Sequence, residues 1–319
     1  MPMSRPSRSI TSPFNAAARC LLLVVCGLLF FNAATAAAGE FIRDKKGRQI
    51  PVNHPFTRII SLYGAHTENL FALGLDKEIV GVSVNDTYPA QVAGKPRFSY
   101  HDDPEKFMAA RPDLVLVRPM VDLGYPDFIG QLERFGITVV SLQPANVEEM
   151  LTYWQILGRL TGRVEQAEEM VETFRRKTRD IREKVAGISP RKRVYFESIH
   201  SRMKTFSTGS MALFALESAG GINVATDAAP SRNSNIANYG KERILSHGQS
   251  IDIFLAQRGI MNPVTREMIL SEPGFQTLKA VKDGQVYLID ENIVSRPVPR
   301  LTIGMLTIGK ILYPDVFIP

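Results

Sequence analysis

The chain has 319 residues, with 38 basic against 32 acidic side chains and a formal net charge of +6, long enough for two domains with cores of their own. No long Lys/Arg run accompanies that charge, so it is not a nucleic-acid footprint. The only two cysteines, Cys20 and Cys26, lie close to the N-terminus, which excludes a disulfide-dense scaffold and a thiolate metal site in the body of the chain.

The first 38 residues read as a leader. Arg5, Arg8 and Arg19 have no acid among them, residues 21–31 form an apolar run broken only by Gly27, and residues 33–39 (AATAAAG) offer Ala36-Ala37-Ala38 for cleavage. This is the pattern of a secretory signal peptide, with an apolar run too short to span a bilayer comfortably. Bulky Val24 and Val25 argue against a lipid anchor at Cys26. Cleavage after Ala38 leaves 35 basic against 32 acidic residues and no cysteine, and the mature chain is expected to be soluble and periplasmic.

Residues 41–52 suggest a small hairpin turning at Lys46-Gly47. From Arg58 onward apolar, β-rich runs alternate with helical patterns, the signature of α/β layering around mostly parallel strands. Strands are expected at 59–63, 79–84, 114–117 and 137–142, and helices at 67–73, 105–110 and 128–135, the first and last closed by Gly74 and Gly136. The run 114–117 (LVLV) is apolar on both faces, as a buried parallel strand requires. Asn146 with Glu149 three residues on makes a capping-box pattern. Val147, Met150, Leu151, Trp154, Leu157 and Leu160 follow at helical spacing. Gly162 breaks that run, and Val164 to Val185 continue a second amphipathic stretch of about 23 residues, roughly 35 Å long. Beyond Pro190 the alternation resumes, with strands expected at 194–199, 251–255 and 286–289 and helices at 211–219, 275–281 and 301–312.

Residues 105–117 correspond in pattern to 242–255, and 128–142 to 275–289. The fold class expected is therefore α/β: two Rossmann-like lobes with mainly parallel sheets, residues 39–145 and 190–319, joined by a long α-helix within 146–189. A ligand cleft lies between such lobes.

Common catalytic and nucleotide-binding signatures are absent. The one match, Ser201 to Lys204 (SRMK), fits S-x-x-K but lacks the S-D-N and K-T-G partners of penicillin-recognising enzymes. Open α/β sheets bind ligands beyond the C-terminal ends of their strands, and there the sequence places Tyr63, His66, Tyr100, His101, Arg118, His200, Arg202, Arg232, Arg258, Asn262, Arg296 and Arg300. Arginine forks suit carboxylates, catecholates and phosphates, and His and Tyr can complete the shell of a metal. Taken singly each is more readily an ordinary loop residue; it is their clustering that points to a polar, anion-accepting cleft. Asp86, Asp102, Asp122 and Glu291 lie nearby in sequence, so the cleft is not purely positive.

The stretch RIISLYGAHTENLFALGLDKEIVGVSVNDTYP (residues 58–89), the segment PEKFMAARPDLVLV and the late RPVPR-helix pattern resemble the cobalamin and iron-siderophore family of periplasmic substrate-binding proteins of ABC importers. The resemblance runs from about Arg58 to Pro314. It implies two α/β lobes bridged by one long helix, a ligand between them and little hinge motion. It further implies that one surface glutamate per lobe docks against arginines of an inner-membrane permease, at positions matching Glu105 and Glu242 here. An acid in a first helical turn also serves the macrodipole. Family ligands include heme, ferric siderophores, cobalamin and small oxyanions such as molybdate.

The arginines favour an iron chelate, a ferric siderophore or heme, as transported ligand; no resident cofactor is expected. For heme, Tyr63, His66, Tyr100, His101 and His200 are the axial candidates. The alternative is a cobalamin/corrinoid or oxyanion binder of the same fold, and Tyr100 aligns near an aromatic that faces the corrin in cobalamin binders. A secreted α/β hydrolase would need a nucleophile–base pair that is not recognisable here. A free-metal binder would need a compact His/Asp/Glu set, against the excess of arginine. The expected protein is a non-enzymatic, monomeric carrier with an ABC permease and a small metal chelate as partners and no nucleic acid.

Overall fold

The computed structural model describes Met1, Met3, residues 41–231 and residues 234–317. The leader read over residues 1–38, Met1 and Met3 apart, and the candidate Arg232 lie outside the described residues. The hairpin expected after the leader is present as β1 (Phe41–Arg43) and β2 (Gln49–Pro51). Its turn carries Gly47 at φ 88°, a left-handed conformation that glycine adopts without a Cβ clash. The buried Asp44 carboxylate accepts from the amides of Lys46, Arg48 and Ser141 and from Arg48 Nε.

The first sheet contains β3 (Ile59–Ser61), β4 (Ile79–Ser83), β5 (Arg97–Phe98), β6 (Leu114–Val117) and β7 (Thr138–Ser141), in the order β5-β4-β3-β6-β7 and parallel throughout. Every residue of β6 is buried, because helices cover both faces of a parallel sheet. Four helices serve it: α1 (Gly64–Ala72), α2 (Pro104–Ala110), α3 (Pro119–Gly124) and α4 (Pro126–Arg134). The chain leaves β3 toward β4 and β5, then returns to its other side with β6. That reversal makes a crevice between the ends of β3 and β6.

The linking segment is a pair of helices, α5 (Val147–Thr161) and α6 (Val164–Val185). Asn146 Oδ1 accepts from the Glu149 amide at 2.9 Å, and Glu149 Oε2 accepts in return from the Ala145 amide at 3.0 Å. The reciprocal cap thus forms one residue further out than the usual box. Gly162, at φ 67°, ends α5 in the left-handed conformation. The 22 residues of α6 extend about 33 Å. Trp154 of α5 is fully buried, edge-on to Phe174 of α6 at 5.5 Å. Leu70, Trp154, Phe174, Leu301 and Met305 belong to one core that runs through both halves.

The second sheet has β8 (Arg193–Ile199), β9 (Lys204–Phe206), β10 (Ile222–Asn223), β11 (Ala229–Pro230), β12 (Ile236–Asn238), β13 (Ile253–Arg258) and β14 (Val286–Asp290). Its order is β11-β12-β9-β8-β13-β14, with β10 also on β8. The pairings of β8 with β13, β13 with β14 and β8 with β10 are parallel; β8–β9, β9–β12 and β11–β12 are antiparallel. This antiparallel margin is absent from the sequence reading. A single 3₁₀ turn, His200–Arg202, reverses the chain after β8, and only antiparallel strands can be joined so tightly. Helices α7 (Met211–Ser218), α8 (Lys241–Ser246), α9 (Arg266–Ser271), α10 (Lys279–Lys282), α11 (Glu291–Val294) and α12 (Leu301–Leu312) complete this half. The helix expected at 275–281 is instead a 3₁₀ turn, Phe275–Thr277, followed by α10.

The order β3-β6-β7 in the first sheet recurs as β8-β13-β14 in the second, with Gly136 and Gly284 at φ 76° and 70° ahead of the last strand of each. The two halves are bonded directly as well. Asn69 Nδ2 and Trp154 Nε1 both donate to the Pro297 carbonyl, at 3.0 and 3.2 Å.

Candidate ligand cleft

A cavity of about 270 Å³ opens between the C-terminal ends of the two sheets. From the first half it is lined by Leu62, Tyr63 and Gly64 after β3, Ser83, Asn85 and Asp86 at and after the end of β4, Tyr100 after β5 and Arg118 after β6. From the second come Ile260 and Met261 after β13, and Glu291, Ser295 and Arg296 after β14. All lie at or just beyond strand ends, where open α/β sheets bind ligands.

Arg118 is the residue before Pro119, whose fixed φ starts α3 and holds Arg118 extended. Its guanidinium lies 4.6 Å from the Tyr63 ring centroid, and Nη2 is 3.2 Å from Met120 Sδ. Its Nε is buried without a hydrogen-bond partner among the described residues. Arg296 approaches from the second half over Gly64. A Cβ at Gly64 would fall 2.4 Å from Arg296 Nη1, so the absent side chain makes room for the guanidinium. Arg296 forms no ion pair with any described residue.

The acids of the cleft are occupied. Asp86 accepts from Thr67 Oγ1 at 2.5 Å and from the Ser83 amide at 3.2 Å, and burial pushes its pKa up despite those bonds and nearby arginines. Glu291 accepts from the amides of Ile260 and Met261 at 3.0 and 3.2 Å and so holds the turn at Gly259. Burial likewise raises the Tyr63 phenol, against the pull of Arg118; it stays protonated at neutral pH. Tyr100 packs against His101 and Tyr125, with ring centroids 4.3 and 4.8 Å away. Ile260 is 80% exposed, and Met261, Met120 and Leu123 are exposed too, so apolar surface adjoins the polar cleft.

Of the candidates read from sequence, Tyr63, Tyr100, Arg118 and Arg296 line the cavity. The others do not. His66 is fully buried, with Nδ1 2.6 Å from the Tyr153 hydroxyl and Nε2 3.1 Å from the Val117 carbonyl. Burial pushes its pKa down to about 3. The neutral ring donates from Nε2 to the carbonyl and accepts at Nδ1 from the tyrosine, joining β6, α1 and α5. His200 is buried at the end of β8 with Nδ1 on the Glu197 carboxylate at 3.0 and 3.1 Å. His101 is exposed beside Tyr100, and Arg202 and Arg258 are exposed. Asn262 is buried and bonded to backbone. Arg300 is held by Glu68 and lies 3.7 Å over Tyr88. Of the five axial candidates for heme, therefore, only Tyr63 and Tyr100 line the cavity.

Sequence reasoning did not single out Gly64, Ile260, Met261 and Ser295. A glycine directly after a strand-end tyrosine was a readable sign of close approach; the others carried none.

Glu105 and Glu242 are exposed in the first turns of α2 and α8, and neither pairs with a described cation. Asp103 Oδ1 caps the Glu105 amide at 2.9 Å. The helix α2 leads into β6 and α8 leads into β13, the strands that occupy equivalent places in the two sheets. Among the described residues no group of three or more His, Cys, Asp or Glu could hold a metal ion, and no helix is long and apolar enough to cross a membrane.

Comparison with known proteins gives the same picture. The periplasmic binding protein family matches residues 59–293. An ABC transporter substrate-binding lipoprotein of Bacillus subtilis, itself uncharacterized, is 28% identical over 280 residues, 86% of each chain. The vitamin B12-binding protein of Vibrio cholerae is 26% identical over 249 residues, 77% of this chain and 85% of its own. A crystal structure from Staphylococcus epidermidis, described as a possible iron-binding (periplasmic solute-binding) protein, is 28% identical with a TM-score of 0.71, covering 82% of this chain and 100% of that one. The chain belongs to the periplasmic binding protein family, whose members of this type are substrate-binding components of ABC importers and not enzymes.

Proposed function

We propose that this protein captures an anionic iron chelate, a ferric siderophore or heme, in the cleft between its halves and delivers it to an inner-membrane ABC permease through Glu105 and Glu242. The observation that carries this reading is the pair Arg118 and Arg296. One comes from each half, and both line the cavity with no carboxylate of the described residues bonded to them. The cleft's own acids are turned to Thr67 and to backbone amides. Half-buried guanidiniums without a directly bonded carboxylate favour an anionic guest that satisfies their N–H groups.

Tyr63 and Tyr100, with the exposed Ile260 and Met261, suit a guest with an aromatic or macrocyclic body. The lack of a His/Asp/Glu cluster among the described residues favours a ready-made chelate over a bare ion, and the relative from S. epidermidis adds weight to iron. A corrinoid is the second reading, supported by the vitamin B12-binding relative and by Tyr100 in the cleft. The two glutamates suit docking because each is exposed, pairs with no described cation and opens the helix that leads into an equivalent strand of its sheet.

Titration of the purified protein with hemin, a ferric catecholate, a ferric hydroxamate and cyanocobalamin tests the reading. Submicromolar binding of an anionic iron chelate, weakened at least about tenfold in Arg118→Ala or Arg296→Ala, is expected. Binding of cyanocobalamin alone would replace it with the corrinoid reading, and indifference to both arginine substitutions would overturn it.

A further inference from the structure

One buried polar network starts at the cavity wall and runs away from it. Ser295, which does line it, donates from Oγ to Gln257 Oε1 at 2.5 Å. Asn262 Nδ2 donates to the Gln257 carbonyl at 2.7 Å, and Asn262 Oδ1 accepts from the His200 amide at 2.9 Å. The His200 ring then stands between two carboxylates, with Nδ1 on Glu197 and Nε2 3.8 Å from Glu272 Oε2. Glu272 Oε1 accepts from Lys241 Nζ at 2.6 Å, and Lys241 opens α8, the helix that presents Glu242.

We infer that His200 is a positioning residue, tying the ligand-facing turn at 259–262 to the docking helix α8 through Asn262 on one side and Glu272 and Lys241 on the other. The inference rests on the docking role proposed for Glu242. Glu197 and Gln257 are fully buried, and Asn262 and His200 nearly so. Such groups are costly to leave unsatisfied, which opposes breaking any one of these bonds when its neighbours shift. With Glu197 and Glu272 ionised, the two cations His200 and Lys241 balance them only while the imidazole is protonated; burial raises the Glu197 pKa, and the bond from His200 opposes that rise. The Glu197 bond, opposed by burial, favours the protonated imidazole. The groups facing the ring are Glu197 from β8, Glu272 after α9 with Lys241 of α8 behind it, the uncharged Asn262, and Phe275, whose ring centroid is 6.3 Å away. Shift of the turn, as when a ligand seats on Ile260 and Met261, thus reaches α8 through the hydrogen bond to the His200 amide, the 3.8 Å charge contact from its ring to Glu272 and the Lys241 ion pair.

Hydrogen–deuterium exchange of the full-length, ligand-free protein tests this. Glu272→Gln leaves the turn and its bonds to Glu291 untouched. It is expected to speed exchange by about fivefold or more, equivalent to about 1 kcal/mol of lost protection, both in α8 and at residues 260–262. In wild-type protein, protection of both segments, corrected for intrinsic exchange, is expected to fall together as rising pH deprotonates His200. His200→Gln, which keeps an N–H toward Glu197, is expected to abolish that pH dependence. Faster exchange confined to α8 in Glu272→Gln, or an unchanged pH dependence in His200→Gln, overturns the inference. No permease takes part, so this result is independent of whether uptake needs Glu242.

Discussion

Arg300 at the start of α12 grips Glu68 of α1 through two parallel hydrogen bonds, Nε to Oε1 and Nη2 to Oε2, each 2.6 Å long. Their side chains are only 17% and 4% exposed, and burial raises the Glu68 pKa even against this fork. Desolvation thus offsets much of the pair's attraction, and the fork fixes how the two halves meet more than it stabilises them. Glu68→Ala, which strands the guanidinium, is expected to cost about 3 kcal/mol in urea unfolding. The paired change Glu68→Leu with Arg300→Met is expected to stay within about 1 kcal/mol of wild type.

His66 makes stability depend on acid. Its folded pKa of about 3 lies below the ordinary imidazole value of 6.5, so the unfolded chain takes up the proton first. The contribution is fully present above pH 6.5, falls by about 1.4 kcal/mol per pH unit below it and levels off near pH 3. Urea midpoints measured from pH 7 to pH 4 are expected to fall more steeply for wild type than for His66→Gln.

Gly64 is one point at which the halves approach, under Arg296 at the cleft. Gly64→Ala puts a methyl group 2.4 Å from Arg296 Nη1, the far end of a flexible side chain. The guanidinium can move aside cheaply, so stability is expected to change by less than about 1 kcal/mol. Affinity for an anionic chelate is expected to drop about tenfold, as after loss of a charge-assisted hydrogen bond.

Docking is tested by Glu105→Ala combined with Glu242→Ala. Both side chains are exposed and pair with no described cation, so the double variant is expected to stay within about 0.5 kcal/mol of wild type in stability and to bind hemin or a ferric siderophore unchanged. Chelate uptake by cells is expected to fail, whereas normal uptake would remove the docking role.

Much of the scaffold was legible because its signals are periodic. The α5–α6 pair showed helical spacing with a readable cap at Asn146 and a break at Gly162, and β6 showed an apolar run bounded by turn residues. The strands β9, β11 and β12 span three residues or fewer in polar surroundings, too short for an alternation to register. In the cleft, strand-end position located Tyr63, Tyr100, Arg118 and Arg296, but position does not tell which way a side chain points. His66 lies within the first turn of α1, facing inward, and His200 turns back toward Glu197. That an apolar pair, Ile260 and Met261, stands exposed at the cleft depends on Glu291 bonding their amides from 30 or so residues away.

Native mass spectrometry of the protein drawn from the periplasm of iron-starved cells tests the central claim most directly. A fraction carrying one added mass with iron, released as an anionic chelate and missing from a variant lacking both Arg118 and Arg296 guanidiniums, is the result expected. Protein carrying only a bare metal ion, or only a cobalt corrinoid retained by that double variant, would contradict it.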